Sequence, residues 1–413
     1  MTIHAEWREL AGRLEAATPP TRDRAIDGLR ALAIGGVVVG HWFVMATTVG
    51  DGGALHGASP LPHLPALAPA SWALQLLGLF FLVGGYQSAR SLERARARGQ
   101  AYPAWLRGRL LRLVRPVAMA TAVLGAAVPL LALAGVPAGT LRTVVVMVAQ
   151  PLWFIGIYGL VTALTPAALA LERRLGVLAA VGPLLVVAAV DLLRYGPWRE
   201  AVPGVVGLVN VLPGWSFAFL LGVAWAAGRV DRRAAAVLAA GGAALGLLLL
   251  GMGYPVSMVG VPGAARVNSH PPSLLVPALA ACQSGLAVLL HDRIGRWLRR
   301  PGPWAAVALA NLHAMTIFTW HQVASLALAG AALGVAGAAG VPGLLDAPDG
   351  PAWLLDRLAW FPVYAAVLAG LVALLRRFEA PWALPRPARA LVVLLAAGFG
   401  LYAAATLATG LGS

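Results

Sequence analysis

Apolar runs of about twenty residues recur along the whole chain, and a run of that length crosses a bilayer as a helix. Of the 413 residues, 60% are hydrophobic and only 11% are charged. The chain therefore reads as all-α: a polytopic integral membrane protein with about 11 transmembrane helices (10 to 11). Spans are expected at 26–48, 70–90, 116–135, 151–171, 176–194, 207–228, 234–253, 273–291, 304–334, 355–376 and 387–409. The ninth is too long for a straight crossing, so it tilts strongly, breaks, or takes in part of a loop.

All 31 basic residues are arginine, and the formal net charge is +15. Such a balance can mark nucleic-acid binding, but these arginines cluster just outside the apolar runs, where membrane topology explains them. Arg8, Arg13, Arg22 and Arg24 precede the first run. Further basic loops are 90–115, ERR at 172–174, RVDRR at 229–233, RIGRWLRR at 293–300 and RRFE at 376–379. The loops between these hold only Arg142, Arg194, Arg199, Arg266 and Arg357. This alternation fits the span count and predicts a cytoplasmic N-terminus, an external C-terminus and a location in the cell membrane.

Residues 1–25 are too polar for a cleavable signal peptide. Within them Ile3, Trp7, Leu10 and Leu14 recur at helical spacing beside Arg8 and Arg13, which suits either an interfacial helix or a loose tail. Cys282, the single cysteine, is expected to pack between helices. With no internal repeat and no linker, residues 26–409 read as one membrane domain.

The stretch IDGLRALAIGGVVVGH carries Asp27, Arg30 and His41 into the first span. Eleven helical steps return to within about 20° of the starting direction, so Arg30 and His41 share a face, about 16 Å apart along the axis. Asp27, one turn before Arg30, is placed to pair with it. Ionisable groups within a span are costly and point to a polar cavity or a pathway, although an interfacial ion pair and a histidine bridging two helices would also account for them. A neutral, poorly solvated imidazole is a competent general base.

Asp-Gly-Leu-Arg-Ala-Leu-Ala followed by His41 resembles the opening helix of the acyltransferase 3 family of membrane acyltransferases. GLFFLVGGYQSARSL at 78–92 is similar to that family's second helix, and WLRGRLLRLVRP at 105–116 to the basic segment after it. PLWFIGIYGLVTALTP at 151–166, VDLLRYG at 190–196, GYPVSMVGVPG at 253–263, NSHPPSLL at 268–275 and MTIFTWHQ at 315–322 resemble its actinobacterial branch. The resemblance runs in family order from residue 22 to 380. It implies transfer of an acyl group, often acetyl, from cytoplasmic acyl-CoA to a hydroxyl of a sugar, lipid-linked glycan or related metabolite, within the lipid membrane and without a metal or nucleic acid. His41 would then act as general base or as transient acyl carrier.

For the donor, Arg107, Arg109, Arg112 and Arg115 precede the third span, and the last three lie within about 120° on one helical face. Guanidinium groups suit phosphate, although topology alone would also place arginines here. Arg109 and Arg112 match the family's paired arginines, and Arg30 is a further candidate contact. His321, in TWHQ, is the second catalytic candidate, with a helix-bridging hydrogen bond as the alternative role. His313, about 80° away on the helix, is expected to pack. Acceptor-side candidates are Trp153, the pair Asp191 and Arg194, and Ser257, Asn268 and Ser269 in the Pro/Gly-rich loop that also holds Arg266. Glu379, in FEAPW, reads as a structural contact.

The sequence holds no Walker loop, no GxSxG elbow, no HExxH and no paired carboxylates within a span. The rival reading is a multi-spanning transporter or lipid or glycan flippase, with Arg30, His41 and His321 lining a path. The lack of repeated halves and the scarcity of acids in the spans weigh against it.

Overall fold

A computed structural model describes residues 3–197, 199–336, 340–379, 382 and 384–410. Met1 and Thr2 of the leader and the Ala380–Pro381 step of FEAPW lie outside the described residues. Among those described, eleven segments are helical, long and apolar enough to cross a membrane. They are Arg24–Val44, Pro65–Ala97, Tyr102–Leu133, Ala138–Ala163, Thr165–Tyr195, Gly204–Ala226, Arg232–Gly251, Leu275–Trp297, Ala314–Val335, Pro351–Glu379 and Arg386–Leu407, the first to eleventh spans below. The protein is thus all-α and multi-pass.

Several boundaries differ from expectation for physical reasons. The third span starts at Tyr102, because Pro103 falls in the first turn, where a missing N–H costs nothing; the arginines at 107–115 form its opening turns. The fourth begins at Ala138, and Pro151, which lacks an N–H, makes a 3-10 link at Gln150–Leu152 inside it. The ERR segment is itself helical, in Thr165–Leu175, and is joined by the 3-10 turn Gly176–Ala180 to the helix Val181–Tyr195. The over-long ninth run is broken: Pro301–Leu312 and Ala314–Ala336 are separate helices with His313 at the joint.

The chain forms two compact units. The first comprises Met1–Val37, Leu67–Leu106 and Ile157–Leu312. Glycines set its helix spacing: a Cβ on Gly85 would lie 2.0 Å from the Phe219 carbonyl oxygen, and one on Gly222 would lie 1.9 Å from that of Leu82. The second and sixth spans therefore meet backbone to backbone. Gly242 and Gly285 do the same for the seventh and eighth spans, Gly242 lying against the backbone of Cys282 and Ala278. In lipid, close packing of this kind replaces the hydrophobic drive that joins helices in water. The leader is ordered as a helix, Ile3–Ala16, which packs on Pro301–Leu312. Arg24 fastens it through Glu15 at 2.7 Å, while the Trp304 indole donates to the Thr18 hydroxyl at 2.8 Å.

The second unit comprises Val38–Ala66, Arg107–Gly156 and His313–Ser413. Its core gathers Val38, Trp42, Leu55, Trp320, Leu344, Leu345, Tyr364 and Leu368. A hairpin absent from the sequence reading follows the first span: Ala46–Val49 pairs antiparallel with Leu55–Ala58, Thr47 opposite Gly57. Gly52 and Gly53, at φ 77° and 76°, make the turn, a conformation that disfavours any side chain. The hairpin docks on the fourth span, where Thr140 accepts from the Leu55 N–H at 2.9 Å and Thr143 donates to the Leu55 carbonyl at 2.8 Å.

Candidate active site

His41 occupies the last turn of the first span, and His321 lies in the helix Ala314–Ala336. Their ring nitrogens, Nδ1 of His41 and Nε2 of His321, are 2.7 Å apart, with the rings nearly parallel at 14°. The hydrogens follow from a third group. Nδ1 of His321 lies 2.6 Å from the Phe318 carbonyl, which can only accept, so that nitrogen carries the hydrogen. The neutral ring must then accept at Nε2, and His41 must donate from Nδ1. The lone pair of His41 consequently sits on Nε2. The two histidines are thus one oriented relay ending in a basic nitrogen.

The surroundings fix this relay in place. His321 is 1% exposed, and its backbone carbonyl accepts from the Trp42 indole at 3.0 Å. Arg357, also 1% exposed, donates to the carbonyls of Trp42 at 2.8 Å, Met45 at 3.0 Å and Gly343 at 3.1 Å, and to the Tyr364 hydroxyl. Trp42 and Met45 lie at the carbonyl end of the first span, where a helix leaves acceptors unsatisfied and favours a cation. Arg357 thereby holds the turn that carries His41. The sequence reading had counted it only as a loop arginine, because nothing local shows that its fork meets carbonyls distant in sequence.

The start of the His321 helix is fixed by Glu379, which accepts from the Thr316 N–H at 2.8 Å and from its hydroxyl. A carboxylate at a helix N-terminus satisfies donors that have no partner within the helix. On its other side His321 meets Phe318, which packs on Phe154 with ring centroids 5.4 Å apart. Trp153 stands edge-on to Phe154, so a short run of aromatic rings leads from Trp153 to His321. Arg109, Arg112 and Arg115 rise along the start of the third span; Arg112 is exposed and donates to the Gly108 carbonyl, while Arg109 and Arg115 are half-buried.

The remaining named residues lie in the first unit. Asp27 does not pair with Arg30: Arg22, reaching back from the preceding loop, takes it with two hydrogen bonds of 2.5 and 3.1 Å, a bidentate geometry that spacing of three along a helix does not offer. Asp27 in turn holds the Arg22 guanidinium above its ordinary value. Arg30 reaches the Asn311 carbonyl at 3.5 Å. Asp191 forms no ion pair with Arg194; it accepts from Asn210, from the Tyr254 hydroxyl and from the Leu274 N–H, at 3.1, 3.0 and 2.6 Å. Ser257, Asn268 and Ser269 are buried. The Asn268 amide donates to the carbonyls of Pro255 and Ser257, and its oxygen accepts from Ser273, which ties the long loop into one knot.

The acyltransferase 3 family model, described as an acyltransferase domain, matches residues 23–376. No curated protein and no solved structure matches the chain. The family match reaches from the residue that caps the first span into the last turn of the tenth and favours the enzyme over the transporter reading. This multi-pass membrane protein, with its two histidines joined at 2.7 Å, belongs to the acyltransferase 3 family of membrane acyltransferases.

Proposed function

We propose that the enzyme moves a short acyl group, acetyl in the simplest case, from acyl-CoA to a hydroxyl of a sugar, glycolipid or similar acceptor, with His41 as the general base. The observation that carries this reading is the relay from the Phe318 carbonyl through His321 to Nε2 of His41. As the acceptor hydroxyl approaches, Nε2 takes its proton and the oxygen attacks the thioester carbonyl. The carbon–sulfur bond then breaks, the thiolate leaves, and the proton held by His41 neutralises it, giving an ester and free CoA. Throughout, Nδ1 keeps its hydrogen bond to His321, so the imidazolium is formed already oriented.

Donor phosphates are assigned to Arg109, Arg112 and Arg115, whose planar forks suit them, with Arg30 as an entrance contact. Trp153, beside the aromatic run to His321, is assigned to the acceptor. Following the positive-inside pattern, the donor arginines are assigned to the cytoplasmic side of the cell membrane and the C-terminus to the outside.

The test is transfer of label from acyl-labelled acetyl-CoA into extractable glycans and lipids in expressing membranes. His41→Ala is expected to lower turnover by about 10³-fold or more while CoA binding stays within about twofold of wild type. Normal turnover by that variant would remove His41 from the chemistry. Recovery of label on the protein itself after quenching would instead make His41 an acyl carrier.

A further inference from the structure

Two arginines at the arginine-poor end of the spans form no ion pair among the described residues. Arg194 and Arg266 both place their guanidinium groups on the ring of Tyr195, 4.9 and 4.6 Å from its centroid. Nη1 of Arg194 is buried and makes no hydrogen bond, and neither arginine is within 4.0 Å of a carboxylate among the described residues. The one acid near them, Asp191, is already held by Asn210, Tyr254 and Leu274. Arg194 thus has beside it a carboxylate already held by three donors, and Arg266 shares its seat on Tyr195. Leaving a buried donor of a charged group unsatisfied is costly, so its retention calls for a partner.

Membrane topology does not supply the reason, since the positive-inside pattern would remove arginines from this end. The site is also shaped. Gly207 leaves room for the Arg194 guanidinium beside Pro271: an added Cβ would sit 2.6 Å from Pro271 Cγ, 2.7 Å from Cζ of Arg194 and 2.8 Å from its Nε. The Tyr195 ring that supports both arginines is itself held edge-on by Tyr254, whose hydroxyl donates to Asp191. Burial, and then the Asp191 carboxylate, push that hydroxyl above its ordinary value and keep it a donor.

We propose that Arg194 and Arg266, seated on Tyr195, bind a phosphate-class oxyanion carried by the acceptor. Two forked cations match the two or more oxygens and the double charge of phosphate better than a hydroxyl or an amide does. Assignment of the anion to the acceptor rests on the acyl-transfer reading. Binding of the anion does not.

The experiment measures equilibrium dialysis of radiolabelled inorganic pyrophosphate against the purified full chain in phosphatidylcholine nanodiscs. Arg194→Gln and Arg266→Gln are each expected to weaken the binding about tenfold, and Gly207→Ala is expected to weaken it with no change of charge, by displacing the Arg194 guanidinium. Arg142→Gln, another arginine-poor-end variant, should leave it unchanged. If Arg194→Gln fails to fold, Arg266→Gln in the loop still decides the matter. Binding unaltered in Arg266→Gln and Gly207→Ala overturns the proposal. Repeating the measurement in phosphatidylglycerol nanodiscs separates the sources: competition by the lipid makes the occupant a lipid headgroup phosphate, and no competition makes it a phosphate presented from solution or by the acceptor. Either result supports an oxyanion site. If anion binding fails while His41-dependent transfer persists, only this inference falls; if binding holds and no label moves with any acyl donor, the acyl-transfer reading falls.

Discussion

His321 makes no hydrogen bond that a substrate could replace without cost, because both its ring nitrogens are engaged, one to Phe318 and one to His41. In the proposed mechanism it is therefore a positioning residue, acting through the orientation of His41. His321→Ala is expected to lower kcat by about 10² while KM for the donor moves little, since only the transition state needs Nε2 of His41 correctly aimed. His321→Gln retains an acceptor for His41 Nδ1 and should recover part of that loss. Equal losses in both variants, with KM rising in step, would make the residue merely structural. Asp23, just before the first span, shows the same kind of local accounting: it caps the helix through the Ile26 N–H at 3.1 Å and meets His291 Nε2 at 3.1 Å. Burial pushes its carboxyl up, but the His291 hydrogen bond, the backbone N–H groups of Ile26 and Ala25 and the His291 charge outweigh that and hold it below 3.8. A lowered carboxyl stabilises the fold above its ordinary value and loses that contribution as pH falls through the folded value. Asp23→Asn should thus melt lower than wild type at pH 7, by about 1 kcal/mol or less for this partly exposed group, and the gap should close below pH 3.8. A gap that widens in acid would refute the assignment.

At the scale of elements, the first span is defined as much by what grips its ends as by its apolar middle. Arg357, from the tenth span, binds the carbonyls of Trp42, Met45 and Gly343 together, so its loss would leave two buried acceptors and one part-buried acceptor in want of donors at once. Arg357→Met is expected to cost about 3 kcal/mol, read as a fall in the midpoint of thermal denaturation, and Arg357→Lys should rescue little because an ammonium lacks the fork. A lysine variant as stable as wild type would show that charge alone matters. These end-grips mark the limit of what sequence reading reaches. Helix number follows from composition and periodicity, which are local; the ninth run's excess length was local too, but its break at His313 was one of three readings that the sequence left open. His321 was visible as an imidazole in an apolar run. The partner of Asp27, the hairpin at Ala46–Ala58 and the role of Arg357 depend on groups brought together from distant segments, and neither spacing nor propensity encodes them. Asp27 is the clearest instance: Arg30 stood at favourable helical spacing, yet Arg22, free to adjust from a loop, gave the bidentate pair.

For the whole molecule, the arginine pattern and the span count bear on each other. If all eleven spans cross, the termini lie on opposite sides, and the arginine-rich segments 90–115, 172–174, 229–233, 293–300 and 376–379 fall toward the N-terminal one. On that reading the arginines proposed for the donor, 109, 112 and 115, open the third span from the same side, and Arg194 and Arg266 lie toward the opposite one. If the rich side is cytoplasmic, acyl-CoA, which is charged and does not cross bilayers, has access only from there. Inside-out membrane vesicles should therefore transfer label from added acetyl-CoA at once. Right-side-out vesicles should stay nearly inactive until permeabilised, and then reach the inside-out rate. A parallel C-terminal reporter that is active only outside the cell should report an external terminus. Equal initial rates in the two vesicle preparations would overturn the donor assignment to Arg109, Arg112 and Arg115 even if the reporter places the C-terminus outside, because the orientation of the chain and the side of donor entry would then have come apart.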